Sequence, residues 1–118
     1  MENKFKCFDI LDMVIQEATE RFKPIFNIDN DDYKVLKQYC EVIDRVIEIG
    51  SFESFEVNVD EITMEISIII ERSDMILDND DELSYLIYEL FKRTNTVQVL
   101  ENDGLLGIEM VFPPIWKE

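Results

Sequence analysis

The spacing of apolar residues switches between a helical and a strand period along the chain, and this switch constrains the fold more than any other feature. Before residue 50, apolar side chains recur every three or four positions, as on one face of an α-helix. From residue 55 they recur at every second position, as on one face of a β-strand. Helical spacing returns after residue 82, and alternation returns at Val97. The sequence therefore predicts the element order α-α-β-β-α-β-β.

The first helix is predicted over residues 3–22, where Leu11 and Ile15 belong to an apolar stripe that continues to Phe22. Pro24 disfavours helical backbone in the residue before it. The helix should therefore end at or just after Phe22.

The second and third helices are predicted from stripes of the same kind. Gly50 follows the second helix and is predicted to be its C-cap in the left-handed conformation. The third helix should end near Arg93, because cations in the last turn suit the helix dipole. The apolar stripe of the second helix is Val35, Leu36, Tyr39, Val42, Ile43, Val46 and Ile47. The stripe of the third helix is Leu83, Leu86, Ile87, Leu90 and Phe91.

The first alternating segment is predicted as a β-hairpin with a two-residue turn. If Asp60 and Glu61 form the turn, Val59 faces Ile62 and all apolar side chains fall on one side. The further facing pairs are then Val57 with Met64 and Phe55 with Ile66.

The second hairpin has a stronger turn signal, because Asp103-Gly104 is a favoured two-residue hairpin loop. With that turn, Val99 faces Ile108 and Val97 faces Met110, again on one side. Pro113 and Pro114 end the last strand.

These elements predict one α+β domain over residues 1–118, with a four-stranded antiparallel sheet and the helices mainly on one face. Burying unpaired carboxylates under the helices would cost several kcal/mol each, so the polar face should be the uncovered one. Two helices already cover four strands, so the N-terminal helix is expected at a sheet edge or in a subunit contact. The polar residues of the uncovered face are Glu56, Asn58, Glu65, Ser67, Gln98 and Glu109, and apolar residues share it at Ile69, Leu100, Leu105 and Val111.

The tetrapeptide Asp-Asn-Asp-Asp occurs at residues 29–32 and 78–81, where either calcium binding or helix capping could explain it. In an EF-hand reading of the second copy, the ligand positions are Asp78, Asp80, Glu82 and Glu89. Leu83 then stands where the loop needs glycine, and the first copy fails because Cys40 takes its last ligand position. Asp and Asn are favoured as N-caps, and carboxylates suit the first helical turn. The tetrapeptide is therefore predicted to start two helices, and no metal site is predicted.

The net charge of the chain restricts the classes of molecule that it can bind. Its 118 residues include 27 Asp and Glu against 11 Lys and Arg, for a formal net charge of −16. Such a charge repels nucleic acids and anionic membranes and attracts basic proteins. The chain has no histidine, which excludes histidine-based catalysis and imidazole metal sites. The three glycines form no phosphate-binding loop, and no cofactor is predicted.

The two cysteines and the single tryptophan each allow two interpretations. The first 22 residues do not have the pattern of an export signal, and Cys7 and Cys40 do not form a CxxC motif. We therefore expect both cysteines to be free thiols in a cytoplasmic protein. They are either small core residues or candidate nucleophiles. Trp116 either packs the tail onto the core or anchors a partner.

The leading hypothesis is a non-catalytic protein-interaction domain of the cytoplasm, such as an inhibitor, an immunity or antitoxin-like protein, or an adaptor. The alternative is a small enzyme or ligand sensor that uses carboxylates and a thiol. The uncovered polar face of the sheet is the predicted protein-binding surface. The molecule that binds there would be a second copy of the chain or a basic protein, with no nucleic acid and no membrane involved. The candidate partner-binding residues are Glu56, Glu65, Ile69, Glu109, Val111 and Trp116.

Overall fold

The computed structural model describes residues 6–73, 81–93, 96–102 and 105–117. These residues form an α+β structure in which two helices precede the strands, so the predicted class is confirmed. In chain order the elements are α1 (Cys7–Phe22), α2 (Asn30–Ile49), β1 (Ser54–Val59), β2 (Ile66–Arg72), α3 (Asp81–Arg93), β3 (Thr96–Asn102) and β4 (Leu105–Phe112).

The first helix ends where the proline signal predicts. Lys23 follows Phe22 in the left-handed conformation, with φ at 48°, and its backbone N–H donates to the Thr19 carbonyl. Pro24 then prevents the helix from continuing.

The start of α2 confirms the capping interpretation of the first acidic tetrapeptide. Asp29 is extended, and its side chain accepts a hydrogen bond of 3.0 Å from the backbone N–H of Asp32. In the second copy, residues 78–80 lie outside the described residues, and Asp81 is the first residue of α3.

Gly50 is the C-cap of α2 as predicted, but the left-handed conformation predicted for it is wrong. Gly50 has φ at −82°, which any residue can adopt, and the left-handed residue is Ser51, with φ at 54°. Glycine is needed for space instead. A Cβ at this position would lie 2.6 Å from the Phe52 ring and 2.9 Å from the Val46 carbonyl oxygen.

The strands form a four-stranded antiparallel sheet in the order β1-β2-β4-β3. Val99 lies opposite Ile108 and Val97 opposite Met110, so the predicted register of the second hairpin is confirmed. The predicted turn at residues 103–104 lies outside the described residues.

The predicted register of the first hairpin is wrong by four residues, because Val59 lies opposite Ile66 and not Ile62. Residues 60–65 form a loop instead of a two-residue turn. The Asp60 carboxylate accepts the backbone N–H groups of Ile62 and Thr63, each at 2.8 Å. Four is an even number, so the shift leaves the residues of β1 and β2 on their predicted faces. The sequence predicts that Ile62 and Met64 face the core from the strand, but they lie in the loop, where Ile62 is exposed.

The core lies between the helices and one face of the sheet. All three helices of the described residues contribute to this cluster, which includes Leu90 of α3. The N-terminal helix α1 contacts the edge strand β1 and also α2, and it belongs to the core. The fully buried side chains of the cluster are Leu11, Ile15, Ile43, Val46, Ile66, Ile68, Ile70, Leu90, Ile108, Met110, Cys7 and Cys40.

The C-terminal tail, residues 113–117, folds back onto the connector between α1 and α2. The Asp29 N–H donates to the Ile115 carbonyl at 2.6 Å, and the Lys117 N–H donates to the Asn27 carbonyl at 2.9 Å. Trp116 is 6% exposed, and its indole N–H donates to the Thr19 hydroxyl at 3.0 Å. The tryptophan therefore packs the tail onto the core and is not available to anchor a partner.

Candidate functional site

The face of the sheet that points away from the core is the candidate site. Within the described residues, the buried side chains of the helices belong to the cluster on the other face. The residues of β1 on this face are exposed. Ser67, Ile69 and Glu71 of β2 are half-buried, as are Glu109 and Val111 of β4. We call this surface the open face and define it by Glu56, Asn58, Ser67, Ile69, Glu71, Glu109 and Val111.

The centre of the open face is a row of residues that crosses the sheet. Glu56 lies opposite Ile69, Ile69 lies opposite Glu109, and Glu109 lies opposite Gln98. Neighbouring strands are about 4.8 Å apart, so the backbones of the two glutamates are separated by about 10 Å. The row therefore has one carboxylate on each side of an isoleucine.

The structure brings four of the six predicted binding residues together. Glu56, Ile69, Glu109 and Val111 lie on the open face. Glu65 lies in the loop that precedes β2, and Trp116 is buried in the core.

Glu71 belongs to the open face although the sequence prediction omits it from the binding residues. It lies opposite Ser54 on β1 and opposite Gly107 on β4. Its even spacing from Ser67 and Ile69 is the sequence signal that could have found it. It adds a third carboxylate to the surface.

The sequence of the sheet makes the open face negative. Arg72 is the one cationic residue in the four strand sequences. Its guanidinium donates to the Gly50 carbonyl, at the end of α2. No cation of the strands therefore lies in the central row.

A second cluster lies where the start of α1 meets α2. The sulfur atoms of Cys7 and Cys40 are 3.3 Å apart, and both side chains are buried. The hydrogen bond with Cys40 and the burial of the site raise the pKa of the Cys7 thiol far above its usual value. This thiol is therefore protonated at neutral pH, and the resting site offers no Cys7 thiolate as a nucleophile. The burial of both residues supports the core interpretation of the cysteines.

Asp44 supplies the helix cap that the sequence before α1 lacks. Lys6 stands at the N-cap position without a side-chain bond, whereas the Asp44 carboxylate accepts the Cys7 N–H at 2.8 Å from the neighbouring helix. Burial raises the pKa of Asp44 above its usual 3.8, although the bond from Cys7 acts in the opposite direction. The bond thus satisfies a backbone donor of α1 while partial burial disfavours the charged carboxylate.

We expect Asp44→Asn to be at least as stable as the wild type at pH 7. The amide oxygen can still accept the Cys7 N–H, and the penalty on the buried charge disappears. Because the pKa of Asp44 is raised in the folded state, its stabilising contribution is complete below 3.8 and is lost as the pH rises through the folded value. The advantage of the asparagine variant should therefore shrink as the pH falls toward 3.8.

The matched control is Asp44→Ala, which removes the acceptor and should cost about 1 kcal/mol at pH 7. Urea unfolding followed by circular dichroism at several pH values compares the three proteins. If asparagine costs as much as alanine at pH 7, the charge of Asp44 is required and this account of the cap is wrong.

The described cavities are small. One of about 110 Å³ lies between α2 and the tail, beside Leu36, Tyr39 and Phe112. One of about 170 Å³ lies between α1 and β1, beside Val14 and Val57. Binding sites for small organic ligands usually enclose roughly 300–1,000 Å³. The open face is therefore the more prominent candidate site.

Neither a metal site nor a membrane span is found among the described residues. No group of three or more acidic or cysteine side chains is placed to hold a metal ion in these parts of the chain. The helices found there are also too short or too polar to cross a membrane.

Comparisons of the chain with protein-family models, with curated proteins and with solved structures give no match.

Proposed function

We propose that this protein is a non-catalytic interaction domain that binds a basic protein through the open face of its sheet. The proposed class includes inhibitors, immunity or antitoxin-like proteins and adaptors. The observation that carries the proposal is the central row, in which Glu56 and Glu109 flank Ile69 on a face that the described helices leave uncovered.

The charge of the chain favours a basic partner over a second copy. Each copy carries a formal net charge of −16, so two copies repel each other as they approach. A cationic surface is instead attracted, and complementary potentials raise the rate of association. The half-buried Ile69 and Val111 give the partner apolar area to cover.

The spacing of the central row specifies what the partner should present. Two carboxylates whose backbones lie about 10 Å apart match two lysines or arginines at a similar spacing, with an apolar side chain between them. An α-helix presents residues i and i+7 on one face about 10.5 Å apart, since each residue advances the helix by about 1.5 Å. The partner is therefore expected to pair cations with Glu56 and Glu109 while it covers Ile69.

The enzyme or sensor alternative has less support in the described residues. Its thiol would be Cys7 or Cys40, and both are buried away from the open face. The two cavities described above, of about 110 Å³ and about 170 Å³, are small for such a ligand. Neither of these cavities is lined by a cysteine.

Reversing the two charges of the central row tests the proposal. We expect Glu56→Lys/Glu109→Lys to fold, because Glu56 is exposed and Glu109 is only half-buried. The probe is a capped alanine-rich helical peptide with two lysines seven residues apart and a leucine between them on the same face, titrated into isotope-labelled protein and followed by NMR. In the wild type, shifts should concentrate at the backbone of Glu56, Ile69 and Glu109, and the double variant should bind at least about tenfold more weakly.

The matched control is Glu20→Lys/Glu41→Lys, which changes the net charge equally at exposed positions on α1 and α2. This variant should retain most of the peptide affinity. Equal losses in both variants would show that the peptide senses only the overall charge, and the proposal would be wrong. Light scattering provides a second arm: a wild-type dimer that only the central-row variant loses would make the occupant a second copy instead of a basic protein.

A further inference from the structure

We propose that Cys7 and Cys40 are an oxidation site: when the folded protein reacts with a peroxide, they form an intramolecular disulfide that joins α1 to α2. The proposal is independent of the open face, because these residues lie in the core on the helical side of the sheet. It rests on the distance between the two sulfur atoms and on where each cysteine lies in its helix.

The geometry brings two distant parts of the chain to one point. The sulfur atoms are 3.3 Å apart although the residues are separated by 33 positions in the sequence. A disulfide needs about 2.05 Å between the sulfur atoms, so the remaining approach is about 1.3 Å. Rotation of the two side chains and a small shift of one helix start can supply such an approach. Cys7 is the first residue of α1, where helix ends open most readily.

Oxidation requires this opening because the closed site protects both thiols. Cys7 is 0% exposed and Cys40 is 1% exposed. The hydrogen bond with Cys40 and burial also raise the pKa of the Cys7 thiol, so the closed state holds no Cys7 thiolate to react. Opening of the first turn of α1 exposes a sulfur to water and lets it lose its proton.

The chemistry then proceeds in two balanced steps, with a peroxide as the oxidant. The exposed thiolate attacks one oxygen of hydrogen peroxide, so that the O–O bond breaks, a sulfenic acid forms and hydroxide leaves. The second sulfur attacks the sulfenic sulfur as the first turn closes, so that the S–S bond forms and the sulfenic oxygen leaves as water. In total, two thiols and one peroxide give one disulfide and two waters.

The bond would hold α1 in place. It closes a loop of about 34 residues that contains α1, the connector and about half of α2. By the loop-entropy relation, such a crosslink should raise the melting temperature of a domain of this size by about 15 °C.

The test treats the folded chain with hydrogen peroxide at room temperature and removes the oxidant. The protein is then alkylated in urea and digested, and the peptides that carry Cys7 and Cys40 are analysed by mass, so that sulfoxides on the methionines do not affect the result. We expect these two peptides to be joined with the loss of two hydrogens and to take up no alkyl group, and the protein to remain a monomer in the absence of reductant. Its melting temperature should rise by about 15 °C and return to the starting value after reduction.

The single variants Cys7→Ala and Cys40→Ala are the matched controls, because each leaves one thiol without its neighbour. In either variant the remaining cysteine should gain oxygen instead of losing hydrogen, and the melting temperature should not rise with peroxide. The proposal is overturned if Cys7 and Cys40 of the treated wild type still take up alkyl groups, carry oxygen or form disulfide-linked dimers. It is also overturned if the bond forms only in urea, since the folded geometry would then play no part.

Discussion

Replacing Trp116 by alanine is expected to lower the free energy of unfolding by about 3–5 kcal/mol, the usual cost of removing a buried tryptophan. The side chain is 6% exposed and belongs to the main core cluster. Small domains have unfolding free energies of only about 5–15 kcal/mol, so this loss would be a large part of the total. The variant should unfold at a much lower urea concentration than the wild type.

Two hydrogen bonds in series add to the apolar contribution of Trp116. The indole N–H donates to the Thr19 hydroxyl, and that hydroxyl donates to the Ile15 carbonyl at 2.8 Å. The Thr19 oxygen therefore accepts one bond and donates another, inside the turn of α1 that precedes Lys23. Removing the indole leaves the hydroxyl without its donor and opens a cavity beneath the tail.

Trp116→Phe separates these two contributions. It keeps most of the buried ring area and loses the indole N–H, so we expect a cost of about 1–2 kcal/mol. Because the chain has a single tryptophan, unfolding is followed by circular dichroism in all three proteins. A cost below about 1 kcal/mol for Trp116→Ala would mean that the tail contributes little to the fold, contrary to the packing described here.

Gly50→Ala is expected to destabilise the protein by about 1–3 kcal/mol, although alanine favours the backbone conformation found there. The added Cβ would lie 2.6 Å from one carbon of the Phe52 ring and 2.9 Å from the Val46 carbonyl oxygen. The ring can rotate, but the carbonyl belongs to the last turn of α2 and moves only with the helix. The cost therefore reflects crowding and not the loss of a left-handed glycine. Urea unfolding of the variant measures it.

A double-mutant cycle with Phe52→Ala tests whether the added Cβ at position 50 is crowded by the Phe52 ring. If the Cβ meets the ring, the cost of Gly50→Ala should fall when Phe52 is also removed, with a coupling of at least about 0.5 kcal/mol. Ser51→Ala is the matched control, because Ser51 has the left-handed conformation and its replacement adds no atoms. A cost for Gly50→Ala that does not change in the Phe52→Ala background would assign the crowding to the Val46 carbonyl alone. A cost below about 1 kcal/mol in the wild-type background would contradict the crowding explanation.

The second hairpin shows what the sequence can specify. A favoured two-residue loop is enough to predict that Val99 lies opposite Ile108. The loop and the alternation agree on one arrangement, and the structure has that register. Local signals of this kind are sufficient when the paired residues are close in sequence.

The first hairpin shows where such signals fail. Alternation has a period of two, so it is satisfied equally by Val59 opposite Ile62 and by Val59 opposite Ile66. The loop that decides between them depends on the Asp60 carboxylate, which binds two backbone N–H groups, and on Met64 with φ at 61°. A hydrogen-bonded six-residue loop has no simple sequence signature, so the pattern alone favours the shorter turn.

For the candidate site, the sequence predicts on which face of the sheet a residue lies but not which residues of other elements lie beside it. Alternation correctly places Glu56, Ile69 and Glu109 on one face, but the β1–β2 register and the β2–β4 pairing are both needed to align them in a row. The contact between Cys7 and Cys40 depends on how α1 packs against α2. Such contacts arise from the shape of the whole core, and a single sequence without relatives does not reveal them.

The strand order also affects how quickly the chain can reach its native state. Each hairpin pairs segments that are close in sequence, whereas β2 and β4, from different hairpins, meet at the middle of the sheet. That pairing closes a segment of roughly 40 residues, and the entropy of closure must be lost before the contacts form. Ile68 lies opposite Val57 on one side and Met110 on the other, so its environment is complete only after the two hairpins have joined. This raises the contact order, and the chain should refold more slowly than a helical bundle of the same length.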